Sequence, residues 1–114
     1  MGRLHVTETS WQQTVTETAE TFGWRWLHMR PARLADGQWR TPVSGSHAKG
    51  WPDLILVRDR LIVAELKGTG GKLTAEQADW LAALTGAGVE AYCWGPDDWP
   101  QVQRVLSRRS ADAA

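Results

Sequence analysis

With one cysteine, one tyrosine and one phenylalanine in 114 residues, the chain has little of several things that would define its class. A single thiol, Cys93, forms no internal disulfide framework and fits a reducing cytoplasm, where a lone cysteine is ordinarily a small core residue. No apolar run approaches the roughly 18 residues of a membrane span, and the N-terminus has no apolar stretch of the kind a secretory signal needs. A net charge of zero argues against a nonspecific nucleic-acid coat. There are no internal repeats and no shift in composition, so residues 1–114 are expected to form one domain, with 107–114 as a frayed tail.

What is present is more telling. Eight tryptophans are many for this length. The charge is unevenly spread: residues 25–72 hold nine Lys or Arg against four acids, a pattern that suits a phosphate footprint as well as a solvated surface. The periodicity predicts a helix over 8–22, capped by Thr7 or Thr9 (with Gln12 completing a box) and stopped by Gly23. A strand over 24–29 follows, then an irregular stretch over 30–50 with a turn at Asp36-Gly37. Two apolar runs, Leu54 to Val57 and Leu61 to Ala64, flank the polar Arg58-Asp59-Arg60 and read as a buried hairpin. A helix over 74–85, a strand over 89–94 and a short helix ending at Leu106 complete an α/β chain. The order is α-β-β-β-α-β-α, which implies a mixed sheet flanked by helices, its last strand parallel to the strand before the second helix.

Two carboxylates sit at the edges of that hairpin. If its turn centres on Asp59, Asp53 lies opposite Glu65, and Lys67 shares their face. One lysine cannot neutralise two carboxylates, and burying them without a cation is costly. The inference is a divalent ion at one end of the hairpin, with oxygen ligands that suit Mg2+ or Mn2+.

Gly50-x-Pro52-Asp53, Glu65-x-Lys67 and Gly71-Lys72-Leu73-Thr74-x-x-Gln77 together resemble the PD-(D/E)xK nuclease superfamily. Within it the chain is most similar to the VRR-NUC (virus-type replication-repair nuclease) branch, in its small stand-alone phage and bacterial form, over nearly the whole length. The resemblance implies a restriction-endonuclease-like core and Mg2+-dependent hydrolysis of DNA phosphodiester bonds, with Mn2+ able to substitute. It implies that Asp53, Glu65 and the Leu66 backbone carbonyl hold the metal and that Lys67 orients or deprotonates water. Glu8 matches an acid that completes the metal shell in many relatives, although Glu17 or Glu20 could take that place. Gln77 matches a polar residue at the same site, and it equally suits a capping box with Thr74. Small relatives resemble Holliday-junction resolvases, which implies branched DNA, a homodimer, and work in replication, recombination or repair in a bacterial or phage-infected cell. A module that binds without cutting, or a nuclease active only with a helicase or other replication partner, are the alternatives.

Other residues read less sharply. Lys49, Lys72, Arg58 and Arg60 are candidate DNA contacts, though loop cations are usually just solvated. Trp39 and Trp51 are placed to stack on bases or to fill a dimer contact. His28 shares a strand face with Trp24 and Trp26 and reads as a core or rim residue, while His5 and His47 read as solvated.

Overall fold

The first strong periodicity becomes a helix because every fourth position of one stripe is apolar. In a computed structural model describing residues 4–29, 32–33, 35–40 and 44–110, that helix is α1 (Glu8–Thr21). It is followed by β1 (Arg25–His28), β2 (Ala32–Arg33), β3 (Trp39–Arg40), β4 (Leu54–Val57), β5 (Leu61–Leu66), α2 (Ala75–Gly86) and β6 (Glu90–Trp94). After a short 3-10 turn at Pro96–Asp98 the last element is α3 (Trp99–Ser107). Thr7 is the N-cap of α1, its hydroxyl accepting from the Ser10 N–H at 3.0 Å. Thr9 already lies inside the helix, so the expected Thr9–Gln12 box is not the cap. Trp11, Val15 and Ala19 are buried, and Gly23 leaves the helix at φ +84, where a side chain would be strained.

The main sheet has the order β1-β4-β5-β6, and its elements follow the expected α-β-β-β-α-β-α sequence. The β4–β5 hairpin pairs Leu54 with Ala64 and Val57 with Leu61, symmetric about Asp59 as the sequence implies. β6 runs parallel to β5, with Leu66 opposite Trp94, and α2 supplies the crossover. Residues 30–50 are not wholly irregular: β2 and β3 form a two-stranded antiparallel ladder across the Asp36-Gly37 turn. Strands of two residues are too short to carry an alternating pattern, which is why sequence periodicity misses them.

Alternation along β4 and β5 divides the sheet into two faces. Leu54, Leu56, Ile62, Ala64 and Leu66 point toward α1 and α3, where they bury against Trp11, Val15, Val102 and Leu106. Three buried tryptophans satisfy their N–H groups within this layer. Trp11 donates to the Trp94 carbonyl at 3.0 Å, Trp24 to the Leu106 carbonyl at 2.8 Å, and Trp94 to Gln101 Oε1 at 3.0 Å. Glu65 falls on the opposite face, the side of α2.

The turn end of the hairpin is tied to the C-terminus. Arg58 and Arg60 both lie over the Trp24 ring, at 4.5 and 5.1 Å from its centre. The Arg58 guanidinium donates to the carbonyls of Phe22, Leu106 and Arg108, and Arg60 donates to Val105, Arg108 and the Glu90 carboxylate. Ser110 in turn donates to Asp59. Where the sequence reads as a frayed tail from 107, Ser107 closes α3 and Arg108 to Ser110 are docked on this turn; residues 111–114 lie outside the described residues.

Candidate metal and nuclease site

At the open end of the hairpin the backbone brings Asp53 and Glu65 to the same edge. The Asp53 carbonyl accepts from the Met29 N–H at 2.7 Å, extending the β1–β4 ladder, and Asp53 Oδ1 accepts from the Leu66 N–H at 3.3 Å. The Glu65 side chain is buried, 3% exposed for the residue. Two donors converge on its Oε2: the Lys67 ammonium at 3.3 Å and the Gln77 side-chain N–H at 3.2 Å.

Gln77 reaches Glu65 because its other end is fixed. Its Oε1 accepts from the Thr74 N–H at 2.9 Å while the Thr74 hydroxyl accepts from the Gln77 N–H at 3.1 Å, the reciprocal box that starts α2. With the amide oxygen committed to the cap, the NH2 group must face the carboxylate. The two readings of Gln77 from sequence therefore hold together in one side chain.

The electrostatics show a shortage of positive charge. Burial, then the negative charge of Glu65, then that of Glu8, push the Asp53 carboxyl up to about 7 against the pull of the Leu66 N–H. Glu65 is also raised, chiefly by burial, although Lys67 opposes the shift. Glu8 is exposed on the first turn of α1, near enough for its charge to raise both groups. Gly68 permits that approach: a Cβ there would lie 2.7 Å from the Glu8 N atom and 2.8 Å from the Val6 carbonyl oxygen. Hydrogen bonds between Thr69 and Val6 hold the two segments together.

Among the described residues, no three His, Cys, Asp or Glu side chains converge as a closed protein cage would require. That donor set still fits a hard octahedral ion. Mg2+ keeps several waters and typically takes one or two carboxylates, completing its shell with substrate phosphate. The buried Glu65 and the half-buried Asp53, both with raised pKa, supply that number.

Gly50, noted in the motif only as a glycine, has a packing reason. At φ +90 it lies against the first turn of α2, and a Cβ would come within 2.6 Å of the Glu76 backbone. Pro52 and Asp53 are thereby docked on the helix that carries Gln77. Gly50→Ala is expected to destabilise the fold by about 2–4 kcal/mol, from a left-handed backbone and a backbone clash together; thermal unfolding checks this, and an unchanged melting temperature would contradict it.

Of the remaining sequence candidates, Lys49 is exposed and pairs with Glu76 at 3.3 Å, and Lys72 is exposed in the glycine-rich loop. Arg58 and Arg60 are not brought to the site. They stand at the other end of β4, roughly 17 Å along the strand from Asp53, engaged with carbonyls and Trp24. Arg58→Ala is expected to cost about 2–3 kcal/mol of stability, through lost charge-assisted hydrogen bonds, and to leave the DNA affinity of the folded protein unchanged. A titration showing weakened DNA binding with unaltered stability would reverse that reading. Trp39's side chain falls outside the described residues.

His28 was read from sequence as a core or rim residue, and it proves to border the site: its Nε2 lies 3.8 Å from Asp53 Oδ2. The signal that finds it is strand pairing, since β1 places His28 opposite Leu54, next to Asp53.

The VRR-NUC domain family model matches residues 9–95, which take in α1 after Glu8, the hairpin, α2 and β6. No curated protein and no solved structure matches the chain.

Proposed function

The chain belongs to the VRR-NUC family and is a nuclease, and from that premise we propose a divalent-metal-dependent endodeoxyribonuclease built on Asp53, Glu65, Lys67 and Gln77. The observation that carries the reading is the convergence of a buried and a half-buried carboxylate at the open end of the hairpin, with Lys67 paired to Glu65. Asp53 and Glu65, with the Leu66 backbone carbonyl and Glu8 on the exposed side, would hold Mg2+, and Mn2+ would serve in its place. When bound, such an ion polarises the scissile phosphate and makes hydroxide available near neutral pH.

The chain's own residues do the rest. Lys67, held 3.3 Å from Glu65, sets a positive charge where phosphate charge builds in the transition state and orients the attacking water. Gln77 fixes the Glu65 carboxylate through a hydrogen bond anchored in the α2 cap. His28 stands against the other carboxylate, limiting how far Asp53 can swing.

Branched DNA is the proposed substrate, cut in replication, recombination or repair by a homodimer in the manner of a junction resolvase. Leu27, Val57 and Leu61 support the dimer: they are 56%, 42% and 45% exposed and lie together on the outer face of the sheet. A two-fold axis through such a patch would present two sites to one junction. No described helix is long and apolar enough to cross a membrane.

The test is incubation with four-way, flapped, single-stranded and duplex DNA, with and without Mg2+, beside sedimentation at micromolar concentration. Mg2+-dependent cutting of branched substrates by a dimer is expected. A monomer would remove the resolvase version. Inertness on every DNA would favour a binding module, and cutting that appears only with an added helicase would favour a partner-dependent nuclease.

A further inference from the structure

A cavity of about 480 Å3 lies between the 44–48 loop and α2, walled by Trp51, Trp80 and Ala83. We infer that it receives an unstacked nucleobase of the DNA strand held at the Asp53–Glu65 site, a proposal that rests on the nuclease reading for its ligand.

The cavity adjoins the site along two separate pieces of chain. Trp51 precedes Asp53 by two residues, and Trp80 follows Gln77 by three, so it lies one turn further along the same side of α2. A strand whose phosphate sits at Asp53 and Glu65 therefore has the cavity beside its path.

The walls suit a base. The two indoles meet edge to face, 4.8 Å between centres at 85°, giving an apolar aromatic corner of the kind on which bases stack. Trp80 is pinned, its N–H donating to the His47 carbonyl at 2.7 Å. The Trp51 N–H is buried and has no acceptor among the described residues, a cost folds ordinarily remove. At the rim, Ser46 and the exposed Asp79 carboxylate offer groups to base edges, which carry amino donors as well as acceptors. The same carboxylate disfavours a phosphate inside the cavity. A base can enter only if it is unpaired, so the cavity selects single-stranded or branched DNA over intact duplex.

The experiment compares a short oligothymidine with a strand of the same length made of abasic nucleotides, by fluorescence anisotropy in EDTA at low salt. Wild type should bind the thymine strand roughly five- to hundredfold more tightly. Ala83→Leu fills the cavity from an exposed helical position with little effect on helix propensity. It should bring the two strands to equal affinity while leaving affinity for the abasic strand unchanged. Trp80→Ala should do the same provided it keeps its thermal transition. Wild type failing to distinguish the strands, or Ala83→Leu retaining the preference, overturns the proposal. So does an Ala83→Leu protein that changes only its sedimentation, which would assign the cavity to a second copy of the chain. The outcomes separate from those of the nuclease reading. Mg2+-dependent cutting without base preference removes the cavity proposal alone, and base preference without cutting on any DNA removes the nuclease reading alone.

Discussion

Asp53→Asn is expected to abolish cleavage and, in the metal-free protein at pH 8, to raise the melting temperature. The loss follows from removing one of the two carboxylates proposed to hold the ion; metal contributions of several kcal/mol correspond to three or more powers of ten in rate. The gain follows from linkage. Asp53 has its folded pKa raised to about 7 from an ordinary value of 3.8. Between those values the folded protein holds a proton that the unfolded chain has released, so stability falls as pH rises and reaches its floor above about 7. The deficit is at most about 4 kcal/mol. Asparagine keeps the acceptor for the Leu66 N–H but never ionises, so it removes the deficit. The stability gain should shrink to less than about 1 kcal/mol near pH 4, where the wild-type carboxyl is neutral in the folded protein and only partly ionised in the unfolded chain. Melting curves across pH 4–8 in EDTA check this. Equal melting temperatures at pH 8 would show that the charge is relieved by some other group.

Lys67→Met should lose as much activity and move stability the other way. Lys67 is the cation beside Glu65, whose side chain is only 4% exposed. Removing one partner of a buried pair costs about 3–5 kcal/mol, because the remaining charge has no compensation. Here the cost is limited by protonation: Glu65, already raised, would rise further. The destabilisation should therefore be largest at high pH and fade as pH falls through the Glu65 titration. Unfolding of the variant at pH 5 and pH 8 checks the direction. Two variants with the same catalytic defect and opposite stability shifts would place Asp53 and Lys67 on opposite sides of one charge balance. A purely structural salt bridge would be weakened by both.

The sequence was most legible where symmetry constrained it. Alternating apolar runs about Asp59 implied the register of β4 and β5, and the structure has that register. The juxtaposition of Asp53 and Glu65 follows from the same symmetry, since the two are equidistant from the turn. Both tasks of Gln77, in the α2 cap and beside Glu65, were legible in the sequence, but which end of the amide serves which was not. The nearness of His28 to Asp53 was not legible, because it depends on which strand β1 pairs with, and that pairing is nonlocal. Arg58 and Arg60 looked like phosphate contacts because they belong to a basic stretch. Apart from Phe22, their carbonyl partners come from α3 and the chain just beyond it, some fifty residues away in sequence. The aromatic cavity was foreshadowed by Trp51 alone, since Trp80 reads on a helical wheel as an ordinary apolar stripe residue.

The measurement that bears most directly on the metal edge is the initial rate of cleavage of one branched DNA as Mg2+ is titrated from zero. Wild type and Arg58→Ala should show the same saturable dependence and no product in EDTA, with Asp53→Asn inactive throughout the titration. Product formed in EDTA, or an Asp53→Asn curve that overlays the wild type, would contradict a metal site at Asp53 and Glu65.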